Sequence, residues 1–316
     1  MKVLIGNGNQ EFAKLLRDKF PDVTFETGGS KEEQIQQVRD ADVYYGMPPR
    51  EVFVAGERLR WVQNPGTGID RMAKVPEMID SDVVLTNCRG PHADPMADHV
   101  IGMMLGLTHR FGDLWDDQKA HRWDPGKYGS TYVELSGKTM GILALGDIGM
   151  AIARRAHGFG MKVYAVDKHP APTSAEVESV WGLERLDRLI SMSDWFVITA
   201  PLTDETRGLI DRRRMGLLKD GAYIIVISRG NIIDEDALID GLRSGRIAGA
   251  GLDVMAEEPL PADSPLWDLD NVLLSPHSSA NTPEMGQGRR RIFIENLRRF
   301  LANEPFLYVC DKRAGF

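Results

Sequence analysis

The sequence predicts an α/β fold class with two Rossmann-like, doubly wound, parallel-sheet domains. One observation is the alternation of short apolar segments with helical patterns, which is typical of βαβ units. Another is a glycine-rich stretch at residues 141–149, where a predicted strand turns into a predicted helix. The third is the length of 316 residues, which is enough for two domains of roughly 100–200 residues each.

The first third of the chain carries this alternation clearly. Short apolar segments predict strands at residues 2–6, 24–26, 43–45, 61–63 and 83–86. Apolar residues at helical spacing predict helices over residues 11–20 and 31–40. Together these segments predict a first parallel sheet that is covered by helices.

The pattern changes near residue 92. Residues 93–110 predict one long helix, and residues 111–132 are polar with scattered aromatic side chains, which favours an exposed arm or a subunit contact. A helix is predicted over residues 284–303, followed by a short segment, 306–309, that could return to the first domain. Further strands are predicted at residues 139–145, 161–166, 195–200, 223–227, 248–254 and 272–275, which makes a second sheet of at least six strands.

The composition argues against several classes of function. The 38 Lys and Arg residues against 46 Asp and Glu residues give a formal charge of −8, which argues against a nucleic-acid partner. No apolar stretch approaches the roughly 18 residues that a membrane span needs, so no membrane partner is predicted. Cys88 and Cys310 form no zinc-binding pattern, and no metal site is predicted. We expect a cytoplasmic protein with reduced thiols.

The glycine-rich stretch resembles the fingerprint of a dinucleotide-binding turn, with Ala144 in place of its first glycine. Gly146 would let the backbone approach a pyrophosphate, and Gly149 would let the helix pack against the strand. The N–H groups of Asp147 and Ile148, at the start of the helix, would bind the phosphates. A glycine-rich turn without a ligand is the alternative.

A carboxylate strengthens the dinucleotide interpretation. Asp167 follows the next predicted strand, about 20 residues beyond the glycines, where an acidic side chain binds the ribose hydroxyls and repels a 2′-phosphate. The sequence therefore favours NAD over NADP as the cofactor. Lys168 and His169 weaken this preference, because they could partly neutralise a phosphate.

Three ionisable residues each follow a predicted strand of the second sheet: Arg229, Glu258 and His277. Ligands of open α/β sheets bind outside the carboxyl ends of the strands, so these side chains could meet in one site. Hydride transfer to a keto acid leaves negative charge on the carbonyl oxygen, which His277 could protonate. Glu258 would orient the imidazole, and Arg229 would supply a fixed positive charge. Taken singly, each is more typical of a loop or surface residue.

The motifs together resemble the D-2-hydroxyacid dehydrogenase family, and within it glyoxylate and hydroxypyruvate reductases. The resemblance rests on residues 141–167, on residues 200–210, and on the segments around Arg229, Glu258 and His277. It implies an NAD-dependent oxidoreductase acting on C2 of a small 2-hydroxy or 2-keto acid. It also implies that Arg229 binds the substrate and that His277, paired with Glu258, is the proton donor and acceptor.

Further residue roles follow from the resemblance alone. Asp253 would contact the nicotinamide carboxamide, and the N–H groups of Thr67 and Gly68 would hold the substrate carboxylate. The remaining residues expected beside the cofactor are Ala200, Ile227, Ser228 and His277.

The resemblance also implies the domain organisation. A discontinuous substrate domain, residues 1–92 plus 285–316, would hold an inserted NAD-binding Rossmann domain, residues 93–284. The active site would lie in a cleft between the two domains. Members of the family are typically homodimers, so a homodimer is expected.

Two alternative functions would use the same fold, one a related dehydrogenase and the other a non-catalytic protein. Formate dehydrogenases pair the histidine with glutamine, and Glu258 argues against that activity. A non-catalytic, NAD-sensing protein on the same fold, similar to a corepressor, would keep the same residues and differ by its lack of turnover. The substrate stays open: Met47 and Trp267 suggest a partly apolar pocket for glyoxylate, hydroxypyruvate or a larger 2-keto acid, and Arg50 is the candidate for binding a phosphate.

Overall fold

A computed structural model of the chain describes residues 1–6, 8–71, 75–170 and 172–315. The chain folds into two compact units, Met1–Pro91 with Pro283–Phe316, and His92–Thr282. Among the described residues, each unit contains one sheet, with five strands in the first unit and seven in the second, and every strand pair in both sheets is parallel. The predicted α/β class with two parallel-sheet domains is therefore confirmed.

The first unit begins with a five-stranded sheet whose strands are ordered β2-β1-β3-β4-β5. Alternation along the first strand sends Val3 and Ile5 to one face and Leu4 to the other, so both faces are apolar and covered. The strands are β1 (Lys2–Ile5), β2 (Thr24–Thr27), β3 (Val43–Tyr45), β4 (Trp61–Gln63) and β5 (Val84–Thr86), and the helices are α1 (Gln10–Lys19), α2 (Lys31–Val38), α3 (Arg50–Ala55) and α4 (Pro76–Asp80).

The second unit contains a seven-stranded sheet in the order β12-β11-β10-β9-β6-β7-β8. The strands are β6 (Thr139–Leu143), β7 (Lys162–Val166), β8 (Ser179–Trp181), β9 (Trp195–Ile198), β10 (Ala222–Val226), β11 (Ile247–Leu252) and β12 (Val272–Leu274). The helices are α5 (Ala93–Thr108), α6 (Phe111–Lys119), α7 (Asp147–Gly158), α8 (Leu186–Met192), α9 (Arg212–Met215) and α10 (Glu235–Arg243). The sequence does not predict the edge strand β8. It is only three residues long, Ser179–Trp181, which is too short to show an apolar pattern.

Helices cover both faces of this sheet. Apolar side chains of α5 and α7 pack with residues such as Met140 and Ile142 of β6 on one face. Apolar side chains of α8, α9 and α10 pack with residues such as Phe196 and Ile224 on the other face. Strand order reverses on either side of β6, whose neighbours are β7 and β9, and such a reversal is where doubly wound sheets bind ligands.

Backbone geometry sets two element boundaries that the sequence placed later. The strand predicted to reach residue 145 ends at Leu143, because Ala144 has a φ of 75° and leaves the extended conformation. The helix predicted to reach residue 110 ends at Thr108, and Arg110 has a φ of 51° in the left-handed region. Residues beyond it form α6, so part of the predicted arm is helical.

The last helix, α11 (Pro283–Leu301), belongs to the first unit. Its Phe293 stacks on Trp61 of β4, with ring centroids 5.4 Å apart. Buried Asn296 donates to Oε1 of Gln63 at 3.0 Å and accepts from the Leu307 N–H at 2.8 Å. Across the described ranges, we find no helix that is both long and apolar enough to cross a membrane.

Candidate active site

The residues that the sequence assigned to the second unit all follow strands of its sheet. The glycine turn follows β6, Asp167 follows β7, and Ala200 follows β9. Since all seven strands are parallel, these strand ends lie along one edge of the sheet. Ile227, Ser228 and Arg229 follow β10, Asp253 and Glu258 follow β11, and His277 follows β12.

The glycine turn has the geometry that a dinucleotide pyrophosphate requires. A Cβ on Gly149 would lie 2.5 Å from the carbonyl oxygen of Ala144, so only glycine lets α7 approach the turn this closely. Gly146 is the N-cap of α7 and has no side chain to cap the N–H groups of the first helical turn, which include those of Asp147 and Ile148. No atom of the described ranges lies within 4 Å of a Cβ built on Gly146, apart from its chain neighbours, which leaves space for a ligand. The turn therefore fits the pyrophosphate.

Asp167 is held in place by backbone donors on both oxygens. Its Oδ2 accepts from the N–H of Leu145 at 2.8 Å, and its Oδ1 accepts from the N–H of His169 at 2.8 Å. The first of these bonds joins the end of β7 to the glycine turn after β6. The carboxylate is thus fixed beside the turn, and each oxygen keeps a lone pair for a ribose hydroxyl.

His277 and Glu258 form the pair that the sequence predicted. Nδ1 of His277 lies 2.8 Å from Oε2 of Glu258, and the other carboxylate oxygen accepts from the N–H of Met255 at 3.2 Å. Both side chains are partly exposed, at 45% and 37%. A carboxylate beside Nδ1 favours the tautomer with the proton on that nitrogen, which leaves Nε2 to exchange a proton with a substrate.

Arg229 lies beside the segment that carries Glu258. A Cβ on Gly230 would lie 2.0 Å from the backbone of Met255, so the two loops pack backbone against backbone. Asn231 adds a hydrogen bond to the carbonyl oxygen of Ala256 at 3.1 Å. Arg229 itself donates from Nη1 to the carbonyl oxygen of Ser228 at 2.7 Å. The fold therefore brings the Arg229 and Glu258 segments together, although 29 positions separate the two residues.

Asp253 has structural partners that the sequence did not reveal. The side chain is fully buried, and its Oδ1 accepts from the hydroxyl of Ser275 at 2.6 Å and from the N–H of Ser278 at 2.8 Å. Its Oδ2 accepts from the N–H of Ser279 at 3.1 Å, and its backbone carbonyl accepts from the N–H of His277 at 2.9 Å. Asp253 therefore holds the loop on which His277 adopts a φ of 52°.

Ser275 and His99 are the site residues that sequence reasoning missed. Nε2 of His99, on α5, lies 2.9 Å from the hydroxyl of Ser275. Ser275 directly follows β12, two residues before His277, and this position at the end of a strand could have identified it from the sequence. His99 offered none, because its 176-residue separation from Ser275 is closed only by the fold.

Thr67 and Gly68 lie in the first unit, after β4, in a loop that two asparagines hold. Asn64 donates to the carbonyl oxygen of Gly68 at 2.8 Å, and Asn87 donates to the carbonyl oxygen of Thr67 at 2.8 Å. Both carbonyl oxygens therefore already accept a hydrogen bond from an asparagine side chain. Oγ1 of Thr67 and Oδ1 of Asn87 are buried without a partner among the described residues, so a bound ligand or water would satisfy their hydrogen-bonding capacity.

The side chains suggested for the substrate pocket have other contacts. Arg50 forms a salt bridge with Glu77, on the surface of the first unit. The indole N–H of Trp267 donates to the carbonyl oxygen of Pro261 at 2.9 Å, and 55% of the side chain is exposed. A phosphate would therefore have to compete with a carboxylate for Arg50.

Comparison with known proteins gives a consistent result. Residues 101–279 match the profile of the NAD binding domain of D-isomer specific 2-hydroxyacid dehydrogenases, which covers more than half of the chain. The chain is 38% identical over 264 residues to a glyoxylate/hydroxypyruvate reductase B of Pectobacterium carotovorum subsp. carotovorum (strain PC1), covering 82% of this chain and 81% of that protein.

Two further similarities extend over nearly the whole chain. It is 31% identical over 308 residues to a D-3-phosphoglycerate dehydrogenase of Methanocaldococcus jannaschii, with 96% of this chain spanning 58% of that longer protein. It also resembles a solved D-isomer specific 2-hydroxyacid dehydrogenase from Xanthobacter autotrophicus Py2, in complex with NADPH and MES, with a TM-score of 0.81, 30% identity and 99% coverage of both chains. On this evidence, the chain belongs to the D-isomer specific 2-hydroxyacid dehydrogenase family.

Proposed function

We propose that this protein is an NAD-dependent oxidoreductase that interconverts a small 2-keto acid and the corresponding D-2-hydroxy acid. The observation that carries the proposal is the 2.8 Å contact between His277 and Glu258, at the sheet edge that also holds the glycine turn. A histidine oriented by a carboxylate suits reversible proton transfer near neutral pH.

The protein's residues handle charge and protons in this reaction. When bound, the nicotinamide supplies the hydride that reduces C2, or accepts it in the reverse direction. In reduction, Nε2 of His277 donates a proton to the carbonyl oxygen, where negative charge develops. Glu258 holds the ring and stabilises the imidazolium. Arg229 binds the substrate with a charge that does not depend on pH.

For the substrate, we propose a short 2-keto acid without a phosphate, such as glyoxylate or hydroxypyruvate. The name of the Pectobacterium relative supports this choice, and the salt bridge between Arg50 and Glu77 argues against a phosphate site at Arg50. The N–H groups of Thr67 and Gly68 would bind the carboxylate, and the buried Oγ1 of Thr67, which has no partner in the part of the chain that the structure describes, supports a polar ligand there.

For the cofactor, we propose NAD(H) rather than NADP(H). The support is Asp167, whose carboxylate is fixed beside the glycine turn and would repel a 2′-phosphate. The solved relative from Xanthobacter is in complex with NADPH, and the assay below therefore compares NADH with NADPH. Residues Ala200, Ile227, Ser228, Asp253 and His277 stand at the same sheet edge and complete the proposed cofactor site.

The decisive test is oxidation of NADH, followed by absorbance, with a panel of 2-keto acids, and repeated with NADPH. We expect turnover of glyoxylate or hydroxypyruvate with wild type. His277→Ala and Arg229→Ala should each lose most of kcat or kcat/KM while NADH still binds. Arg243→Ala, on α10 of the same unit, is the matched control and should keep wild-type rates. Near-wild-type rates for His277→Ala would show that the acid/base assignment is wrong.

The same assay addresses the alternative, an NAD-sensing protein without turnover. Tight NADH binding with no turnover of any 2-keto acid would favour that alternative and contradict the proposed activity.

We further propose a cytoplasmic homodimer whose second copy covers the aromatic residues of segment 111–132. The support is the exposure of Trp115 and Trp123, at 65% and 96%, in a segment whose fold is well defined by hydrogen bonds.

A further inference from the structure

A lysine and a glutamate form an ion pair next to the residue proposed to bind the ribose. Nζ of Lys168 lies 2.7 Å from Oε2 of Glu205, and both side chains are partly exposed. Lys168 directly follows Asp167, and Glu205 lies in the loop after β9. Both belong to the second unit, at the carboxyl edge of its sheet.

The loop that carries Glu205 is ordered by its own hydrogen bonds. The hydroxyl of Thr206 accepts from the N–H of Thr203 at 2.8 Å and donates to the carbonyl oxygen of Pro201 at 2.7 Å. The N–H of Arg207 donates to the carbonyl oxygen of Thr203 at 3.0 Å. These bonds fix the backbone on both sides of Glu205, so the carboxylate is presented to Lys168 from a formed turn.

The charges around Asp167 determine whether the site favours an adenosine with a free 2′-hydroxyl or one with a 2′-phosphate. Asp167 and Glu205 each contribute −1 and Lys168 contributes +1, which leaves a net charge of −1 for the three side chains. A 2′-phosphate carries about −2 near neutral pH and needs cationic partners. Lys168 is the cation nearest in sequence to Asp167, and its ammonium group is engaged by Glu205.

We infer that Glu205 is a specificity-determining residue that withholds Lys168 from a 2′-phosphate. With Glu205 present, the positive charge of Lys168 is offset by the carboxylate. The site then prefers a ribose whose free 2′-hydroxyl can bind Asp167. Without Glu205, Lys168 could turn to a phosphate on the same ribose, and one repulsive charge would be lost. The inference deepens the proposed NAD(H) function and rests on it, because it assumes that the adenosine lies beside Asp167.

The binding part of the test uses ligands that lack the nicotinamide, so it does not depend on turnover. Binding of adenosine 2′,5′-bisphosphate and of AMP is measured by titration calorimetry for wild type, Glu205→Gln, Lys168→Met/Glu205→Gln and Asp240→Asn. Asp240 pairs with Arg212 on the surface of the same unit, at 2.8 Å, and controls for the loss of any one carboxylate. The kcat/KM ratio of NADPH to NADH is measured on the same variants.

We expect Glu205→Gln to bind the bisphosphate up to roughly fivefold more tightly relative to AMP, the range of exposed charge interactions. The gain should shrink at high salt, because the charges are exposed. The double variant should lose the gain, and Asp240→Asn should match wild type.

Three results would overturn the inference: no gain in Glu205→Gln, a gain that persists without Lys168, or an equal gain in Asp240→Asn. A wild type that prefers NADPH would instead contradict the proposed NAD(H) preference. The two failures are distinguishable. The inference on Glu205 is tested by the change in relative affinity between wild type and Glu205→Gln, and the NAD(H) preference is tested by wild type alone.

Discussion

The hydroxyl of Ser275 lies 2.6 Å from Oδ1 of Asp253, which is fully buried. The same carboxylate accepts from the N–H groups of Ser278 and Ser279, on the far side of His277. Ser275 and Asp253 therefore brace both sides of the left-handed residue that is proposed to transfer the proton. Backbone in that region persists where the surroundings fix it, and such residues cluster at functional sites.

Removing this brace should slow the reaction more than it weakens cofactor binding. We expect Ser275→Ala to lower kcat by about tenfold, because a shift of about 1 Å in a catalytic group is costly. The affinity for NADH, measured by fluorescence titration, should change little. Ser244→Ala, an exposed serine at the end of α10, is the control. An unchanged kcat in Ser275→Ala would show that the brace does not position His277.

Ala144 should be a site where glycine stabilises the protein. Its φ of 75° is unfavourable for any residue with a Cβ and favourable for glycine. We expect Ala144→Gly to raise the free energy of unfolding by about 1 kcal/mol, measured by denaturant titration. Ala153→Gly, inside α7, should destabilise by about 1 kcal/mol and serves as the control of opposite sign. A destabilised Ala144→Gly would mean that the alanine methyl group makes a compensating contact.

The two thiols should be unreactive in the folded protein. Burial raises the pKa of Cys88 to about 12 and the pKa of Cys310 to about 11. Because both values lie above the ordinary thiol pKa, both groups stay protonated at neutral pH, and the thiolate is the reactive form. We expect negligible reaction with Ellman's reagent at pH 8 over minutes, and two thiols per chain in guanidinium chloride. Rapid labelling of the native protein would contradict this burial.

The fold of the aromatic segment depends on one buried carboxylate. Asp117 accepts from the hydroxyl of Tyr128 at 2.5 Å, from Lys127 at 2.9 Å and from Arg122 at 2.9 Å. These donors, Tyr128 first, hold the pKa of Asp117 well below its ordinary value. Because the pKa is lowered in the folded state, the stabilisation is present above the ordinary pKa and is lost as the pH falls through the folded value.

We therefore expect this segment to stay folded from neutral pH down to about pH 4, the ordinary range of an aspartate pKa. Asp117→Asn should loosen it at neutral pH. Limited trypsin digestion, read by mass spectrometry, should then cut after Arg122 and Lys127 faster than in wild type. Asp116→Asn is the matched control, since Asp116 is the exposed neighbour on α6. Equal cleavage in the two variants would show that Asp117 is not needed.

The proposed homodimer makes a separate prediction. Trp123 is 96% exposed. Burial of so large an apolar side chain by a partner would contribute favourable free energy to association. We expect wild type to sediment as a dimer and Trp123→Glu to shift toward monomer at micromolar concentration. Trp267→Glu, at an exposed tryptophan of the same unit that lies outside segment 111–132, should leave the dimer intact. A wild-type monomer at high concentration would contradict the proposal.

The sequence by itself determined the α/β class and the approximate positions of most strands, although it placed the end of β6 two residues late and missed β8. Apolar patterning and turn residues act over a few positions, so they can be read without the fold. It also predicted the packing role of Gly149 and the pairing of His277 with Glu258. Parallel strands place their carboxyl ends along one edge, which is why residues from distant strands could be assigned to one site.

The tertiary structure alone decided which partner each polar side chain takes. Asp253 faces the loop of His277, and His99 reaches Ser275 across 176 positions. Lys168 pairs with Glu205, whose loop follows β9 and not the strand before the lysine. These contacts depend on the order of the strands and on the path of the loops between them. Local patterns carry no information on either, because a hydrogen bond depends on distance and direction in space and not on separation along the chain.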